Sequence, residues 1–366
     1  MNKLYEQEPY QTAFDATLIS CTKQENKYDI VLDQTLFFPE EGGQTCDKGT
    51  LNNIEVIDVQ IIDGILHHYT KKPLQNPVHG QIDWNHRYMN MQNHTGEHIL
   101  SGILHRYYHV DNVGFHLGYN EITADYPLEL TQNQLQDIEQ KVNQVIFENH
   151  TVKTYYLEDY TDVHYRAKLN IAKPRLVEIE GVDLCACCAP HVKSTAEVGL
   201  FKIIKTMKIK KGTRIYFLCG QKAYQDYALK HEQTNQISTL LSASSNTLSN
   251  HVQRLLDENH ALKNTITNLH KQIIDTKTIP FQDNQIVLCE DMERETQLYY
   301  FNKLLQYTKQ HVLLVSKQES NYRFMTNSKE IFETLKKHHL VKGGGNKNFY
   351  QGTIDQIDES FFISYK

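Results

Sequence analysis

His94-Thr95-Gly96-Glu97-His98 and Cys187-Cys188-Ala189-Pro190-His191 are the two stretches around which the chain is organised. Positions i and i+4 of a helix share one face a turn apart, so His94 and His98 can present two imidazoles to one point. The second stretch adds a thiolate and a third imidazole. Pro190 disfavours helix at Ala189, so Cys187 and His191 are expected to meet across a bend. Three nitrogens and a sulfur suit tetrahedral zinc better than calcium or magnesium, which take oxygen. Spacing alone leaves ordinary core and surface histidines open. With 19 His among 366 residues, about one His-x-x-x-His pair arises by chance, and a second pair, His105 and His109, stands ~16 Å along the helix.

Other blocks surround these two. Phe37-Phe-Pro-Glu-Glu-Gly-Gly-Gln44 and Asp47-Lys-Gly49 precede them, and Lys173-Pro-Arg-Leu-Val-Glu-Ile-Glu-Gly181 with Asp183-Leu184 runs into the cysteine cluster. In this order they resemble the editing domain of alanyl-tRNA synthetase and its free-standing relatives, the AlaX proteins, which carry His-x-x-x-His followed by Cys-x-x-x-His. The resemblance spans nearly the whole chain. It implies one zinc per chain on His94, His98, Cys187 and His191, with Gly42, Gly43 and Gln44 facing the substrate pocket. Three positions depart from the pattern: Ala189-Pro190 replace the common Gly-Thr, and Glu41 stands where the first glycine of a Gly-Gly-Gly-Gln run would sit. Cys185 and Cys188 are further candidate sulfurs, although Cys187 alone has the family's spacing to His191.

The implied activity is hydrolysis of the ester joining serine or glycine to mischarged alanine tRNA. A pocket sized for alanine admits glycine and rejects serine only weakly, because small side-chain differences are worth ~1–3 kcal/mol. A second, hydrolytic sieve supplies the rest. Glu97, about 60° round the helix from His94, is the candidate general base, and Thr95 the candidate reader of the serine hydroxyl. The chain opens directly on the barrel, so no aminoacylation core is expected. The other classes considered are a zinc metallopeptidase, since His94 to His98 also fits His-x-x-Glu-His with Glu148, Glu178 or Glu180 as further ligand, and a noncatalytic tRNA-binding scaffold.

Length and 40% hydrophobic content are enough for two or three domains. Neither a signal segment nor a membrane-length apolar run is visible, so a cytoplasmic protein without membrane contact is expected. Seven cysteines, three of them between 185 and 188, suit metal binding better than a disulfide framework. At net charge -6, RNA binding requires a local basic patch.

The expected class is α+β. Residues 1–85 read as a small β-barrel and 86–220 as an α/β domain holding the zinc site, whose ligand helix becomes periodic around Asn93. Thr131 to Gln134 is a capping-box signature. Lys208, Lys210 and Lys211 are candidates to track a phosphate backbone. Residues 221–278 read as a coiled coil with Leu241, Ser245, Leu248, Val252, Leu255, Asn259, Leu262, Ile266, Leu269 and Ile273 on its seam, and a possible homodimer follows. Residues 279–366 read as a terminal α/β domain. Its Gly343-Gly344-Gly345 run and Lys347 partly resemble the glycine-rich loop of the synthetase's DHH-associated tRNA-binding domain.

Overall fold

The computed structural model describes residues 1–119, 121–157, 163–167, 173–318 and 320–355. Residues 356–366, the end of the expected terminal domain, lie outside them. The chain divides into two compact units, Met1–Gln233 and Thr234–Lys366.

The first unit begins with alternating strands β1 (Ala13–Ala16), β2 (Leu18–Gln24), β3 (Lys27–Leu32), β4 (Gly49–Leu51), β5 (Ile54–Ile62), β6 (Ile65–Thr70) and β7 (Val78–Ile82). They form one sheet in the order β1-β7-β4-β5-β6-β3-β2. Its end strands follow each other with only Thr17 between, so the sheet must curl. No ladder joins them among the described residues, and the expected closed barrel is here a curled open sheet. Inward residues such as Phe14, Ile30, Leu32, Leu51, Val59 and Leu66 make its core.

Two buried polar groups brace this sheet. Arg87 pairs with Asp47 with both side chains fully buried, and it also donates to the carbonyls of Pro9 and Leu36. His68 meets Thr35 Oγ1 at 2.9 Å and the Ile30 carbonyl at 3.2 Å. Burial lowers His68 to about 4, so the folded state holds it neutral while the unfolded chain protonates it near 6.5. Its contribution is fully present above about pH 6.5 and is lost as pH falls through 4, up to about 3 kcal/mol. Denaturant titrations from pH 7 to 4 should therefore show His68→Gln losing about 3 kcal/mol less stability than the wild type. Equal losses would contradict this assignment.

Helix α1 (Trp84–Tyr108) follows, with Asp83 as N-cap accepting from the His86 amide. It starts well before Asn93, where periodicity placed it, because its first turns bury polar residues. Gln92 Nε2 donates to the Glu197 carbonyl at 2.8 Å, and Asn93 Oδ1 accepts from the Cys219 amide at 2.7 Å. Around it pack β8 (Gly114–Leu117), β9 (Ile122–Tyr126), α2 (Gln132–Glu148), β10 (Val152–Tyr156), β11 (Arg175–Ile179), β12 (Asp183–Ala186), β13 (Phe201–Ile209) and β14 (Gly212–Cys219). The strands make a sheet ordered β8-β9-β14-β13 and another ordered β10-β11-β12. The Thr131–Gln134 capping box is present at the start of α2. A Cβ on Gly102 of α1 would stand 2.7 Å from the Val182 carbonyl, so glycine lets the helix lie against the chain entering β12. That contact carries Asp183 to the histidines.

The segment after β14 is helical but interrupted. Helix α3 (Gly220–Leu241) ends before Ser242, whose φ is +48°, and α4 (Leu248–Thr276) starts after a short 3-10 turn. The break displaces Leu241 and Ser245 from any continuous seam. Along α4, Val252, Leu255, Leu262, Ile266, Leu269 and Ile273 are exposed, while the later helix Arg294–Leu305 packs against its C-terminal end through Ile274 and the Lys271–Glu295 and Lys303–Asp275 pairs. The segment expected as a coiled coil is here two helices, and most of the expected seam residues lie on α4.

The second unit closes with β15 (Gln282–Cys289), α5 (Arg294–Leu305), β16 (Thr308–Lys317), β17 (Tyr322–Thr326), α6 (Lys329–His338), β18 (Val341–Asn346) and β19 (Phe349–Ile354). Their sheet runs β15-β16-β17-β19-β18, with β15 parallel to β16 and the rest antiparallel. Gly343, Gly344 and Gly345, expected in a glycine-rich loop, belong here to the edge strand β18. A Cβ on Gly343 would lie 2.3 Å from the Gln351 carbonyl, so glycine here permits strand approach. Lys347 sits in the following turn at φ +46°.

Candidate metal centre

α1 and the turn after β12 bring the two sequence stretches together. His94, His98, Cys187 and His191 each offer a donor atom, and all four lie within 4.8 Å of one another. Cys187 Sγ is 3.5 Å from His94 Nε2 and 3.4 Å from His191 Nε2. All three histidines are nearly fully buried. Each is held by its other nitrogen: His94 Nδ1 by Gln44 Oε1 at 2.7 Å, His98 Nδ1 by Asp183 Oδ2 at 3.0 Å, and His191 Nδ1 by Thr95 Oγ1 at 3.0 Å. An acceptor on Nδ1 fixes the tautomer and turns Nε2 toward a shared ion, the arrangement that orients metal-binding histidines. These residues therefore fit a tetrahedral metal.

The electrostatics agree. Burial alone would push the Cys187 thiol up, but the pull of His94 and the hydrogen bond from His191 hold it well below its ordinary value, which favours the thiolate a metal needs. Burial lowers His191 to about 3 and so keeps its imidazole neutral. Burial also opposes charge on His98, yet the Asp183 carboxylate outweighs it and raises that histidine well above its ordinary value. By contrast, burial raises Cys185 to about 11 and pushes Cys188 up as well. Both stay thiols, which makes Cys187 the better ligand of the three. Cys185 does lie with His98 and Asp183 in a second cluster, but Arg166 already binds both Asp183 oxygens at 2.6 and 2.8 Å.

His94, His98 and Cys187 of the cluster line a cavity of about 430 Å³, together with Glu41, Gly42, Glu97 and Arg175 among others. Glu97 is 3% exposed and is not one of the four donors. Its Oε1 accepts from Asn112 Nδ2 and Ser101 Oγ, both at 2.5 Å, and Ser101 in turn meets Tyr126 OH at 2.8 Å. Burial keeps the Tyr126 phenol protonated. Those contacts fix the carboxylate in one orientation.

Several sequence expectations are relocated. Thr95 is fully buried with its hydroxyl on His191 and the Val192 amide, so it steadies a histidine and does not face the cavity. Gln44 likewise holds His94. Gly42 lines the cavity, whereas a Cβ on Gly43 would stand 2.3 Å from the Phe115 carbonyl, so this glycine serves packing. Lys208 is paired with Glu129, and Lys210 and Lys211 are exposed between β13 and β14. Of the peptidase candidates, Glu148 is paired with His150 at the surface. Asp183, Asn112, Ser101 and Arg166 had no assigned role in the sequence. The only available signal was a charged residue, Asp183, opening a strand that leads to the cysteines.

Comparison with known proteins agrees with this geometry. The family described as "Threonyl and Alanyl tRNA synthetase second additional domain" matches residues 175–216, and "tRNA synthetases class II (A)" matches residues 7–86. An alanyl-tRNA editing protein AlaX-L of Pyrococcus horikoshii is 32% identical over 61% of this chain and 59% of its own length. An alanine–tRNA ligase of Ignicoccus hospitalis is 31% identical over 74% of this chain and 32% of its own. The chain thus spans less than two thirds of the length of either. The alanyl-tRNA editing protein Aarsd1 of Mus musculus is 30% identical over 71% of this chain and 68% of its own length. On this similarity the chain belongs to the family of alanyl-tRNA editing proteins.

Proposed function

We propose that the protein hydrolyses the ester linking serine or glycine to mischarged alanine tRNA, using one zinc held by His94, His98, Cys187 and His191. The observation that carries this reading is the set of three anchored imidazoles and a thiolate, of which His94, His98 and Cys187 line a cavity that Glu97 also lines. When bound, zinc supplies Lewis-acid stabilisation of developing negative charge. Glu97, held by Asn112 and Ser101, takes the proton of the attacking water as general base. Gln44, Asp183 and Thr95 keep the ligand rings in place. An aminoacyl ester is already activated, so water placement and charge stabilisation suffice.

The reading extends to binding. Lys208, Lys210 and Lys211 would meet the tRNA backbone, and Gly343, Gly344, Gly345 and Lys347 would contact tRNA from the second unit. The exposed stripe of α4 would receive a second copy. Among the described residues no helix is long and apolar enough to cross a membrane; acting on tRNA, the protein would work in the cytoplasm. The test is deacylation of preformed seryl-, glycyl- and alanyl-tRNA(Ala). Serine or glycine should be released with alanine spared, and no release by folded, metal-loaded protein would overturn the proposal.

A further inference from the structure

We infer that Glu41 binds the α-ammonium group of the substrate. This deepens the hydrolase reading and rests on it. Glu41 opens a tight turn in which its amide and carbonyl pair with those of Gln44 at 3.2 and 3.0 Å. The central residues Gly42 and Gly43 have φ of +62° and +82°, values that glycine adopts without strain. The turn is clamped by the Leu117 amide on the Gly43 carbonyl at 2.7 Å. Glu41 is therefore fixed to the backbone that, through Gln44, holds His94.

The Glu41 side chain lines the same cavity as His94, His98, Cys187 and Glu97. Its Oε2 is buried and has no hydrogen-bond partner. A buried carboxylate oxygen without a donor is costly, more so than a neutral acceptor, and among the described residues no lysine or arginine of that cavity forms an ion pair with Glu41. Arg175 gives Nη1 to the carbonyls of Cys187 and Ala189 and leaves Nη2 without a partner, Arg166 binds Asp183, Lys3 pairs with Glu6, and Lys173, also in the wall, makes no ion pair with Glu41. Nor does Glu41 belong to the donor cluster. A cation brought into the cavity by the ligand supplies the partner that Oε2 lacks. An aminoacyl ester carries one such group at its reacting end, the α-ammonium on the carbon next to the ester carbonyl. Glycine at this position, as in the family's pattern, has no side chain for the task, so this contact distinguishes the chain.

The experiment compares seryl-tRNA(Ala) with its nitrous-acid-deaminated counterpart, glyceryl-tRNA(Ala), in which a hydroxyl replaces the ammonium. The full-length, metal-loaded protein is used. The ammonium also activates the ester, so the readout is how preference changes between wild type and variant. Wild type should prefer the seryl ester by about 10- to 100-fold in kcat/KM. Glu41→Gln should remove most of that preference, chiefly by raising KM for the seryl ester, with metal content unchanged. Glu41→Gly supplies the same comparison should the glutamine variant not fold. An unchanged preference in the variant, or a fall in kcat with KM intact, would overturn the assignment while leaving the hydrolase in place. Failure of the wild type to release either acid would instead remove the hydrolase reading on which it depends.

Discussion

Cys187→Ser should lose its metal and, with it, ester hydrolysis. Four-ligand structural zinc sites bind with roughly 10–16 kcal/mol, so one ligand accounts for about 3 kcal/mol, on the order of 100-fold in affinity. The loss should exceed that of an ordinary substitution because Cys187 is the thiolate of the cluster. Its low thiol pKa arises from His94 and His191 acting against burial, and serine, which stays a neutral alcohol, cannot reproduce it. Metal analysis of the purified variant is expected to show less than one equivalent per chain, and serine release from seryl-tRNA(Ala) to fall at least in proportion. Because Cys185 and Cys188 are held as thiols, Cys185→Ser and Cys188→Ser should keep full metal. Retention of metal by Cys187→Ser with its loss from either neighbour would reassign the sulfur.

Asp183→Asn is expected to weaken metal binding by about 10- to 100-fold without removing a ligand. Asparagine can still accept from His98 Nδ1, so the ring keeps its direction. What disappears is the negative charge that raises ligand basicity and balances Arg166, which binds both carboxylate oxygens. Arg166, partly buried, is left with Asp111 at 3.7 Å as its remaining carboxylate, and that disfavours a cation arriving beside it. Competition with a chelator reads the affinity directly. Equal affinities for variant and wild type would show that Asp183 only positions the ring. Burial raises the Asp183 carboxyl, but its bonds to His98 and Arg166 prevail and hold it below the usual carboxylate range. The group therefore acts as a charge throughout the neutral range.

Each half of the donor set was legible in the sequence because its spacing is local: four residues along one helix face, and four across a proline-marked bend. Their partners were not. Gln44, Asp183 and Thr95 lie 50, 85 and 96 residues from the histidines they hold, and the packing of α1 against β12 brings Asp183 to His98. Thr95 reads as a substrate contact because it neighbours His94, yet it falls on the helix side that meets His191. The start of α1 was hidden because Gln92 and Asn93 are buried for their hydrogen bonds, which blurs the apolar period. On α4 the period was real, but the sequence did not reveal the stop at Ser242. The run Gly343–Gly345 reads equally as a loop or as a strand needing close contact, and the neighbouring strand decides it.

The most direct measurement is serine release from seryl-tRNA(Ala) by metal-stripped protein as zinc is returned. The account predicts negligible release without metal, then a linear rise that breaks at one zinc per chain, with Cys187→Ser showing no such break. Full-rate hydrolysis by folded, metal-free protein would contradict it.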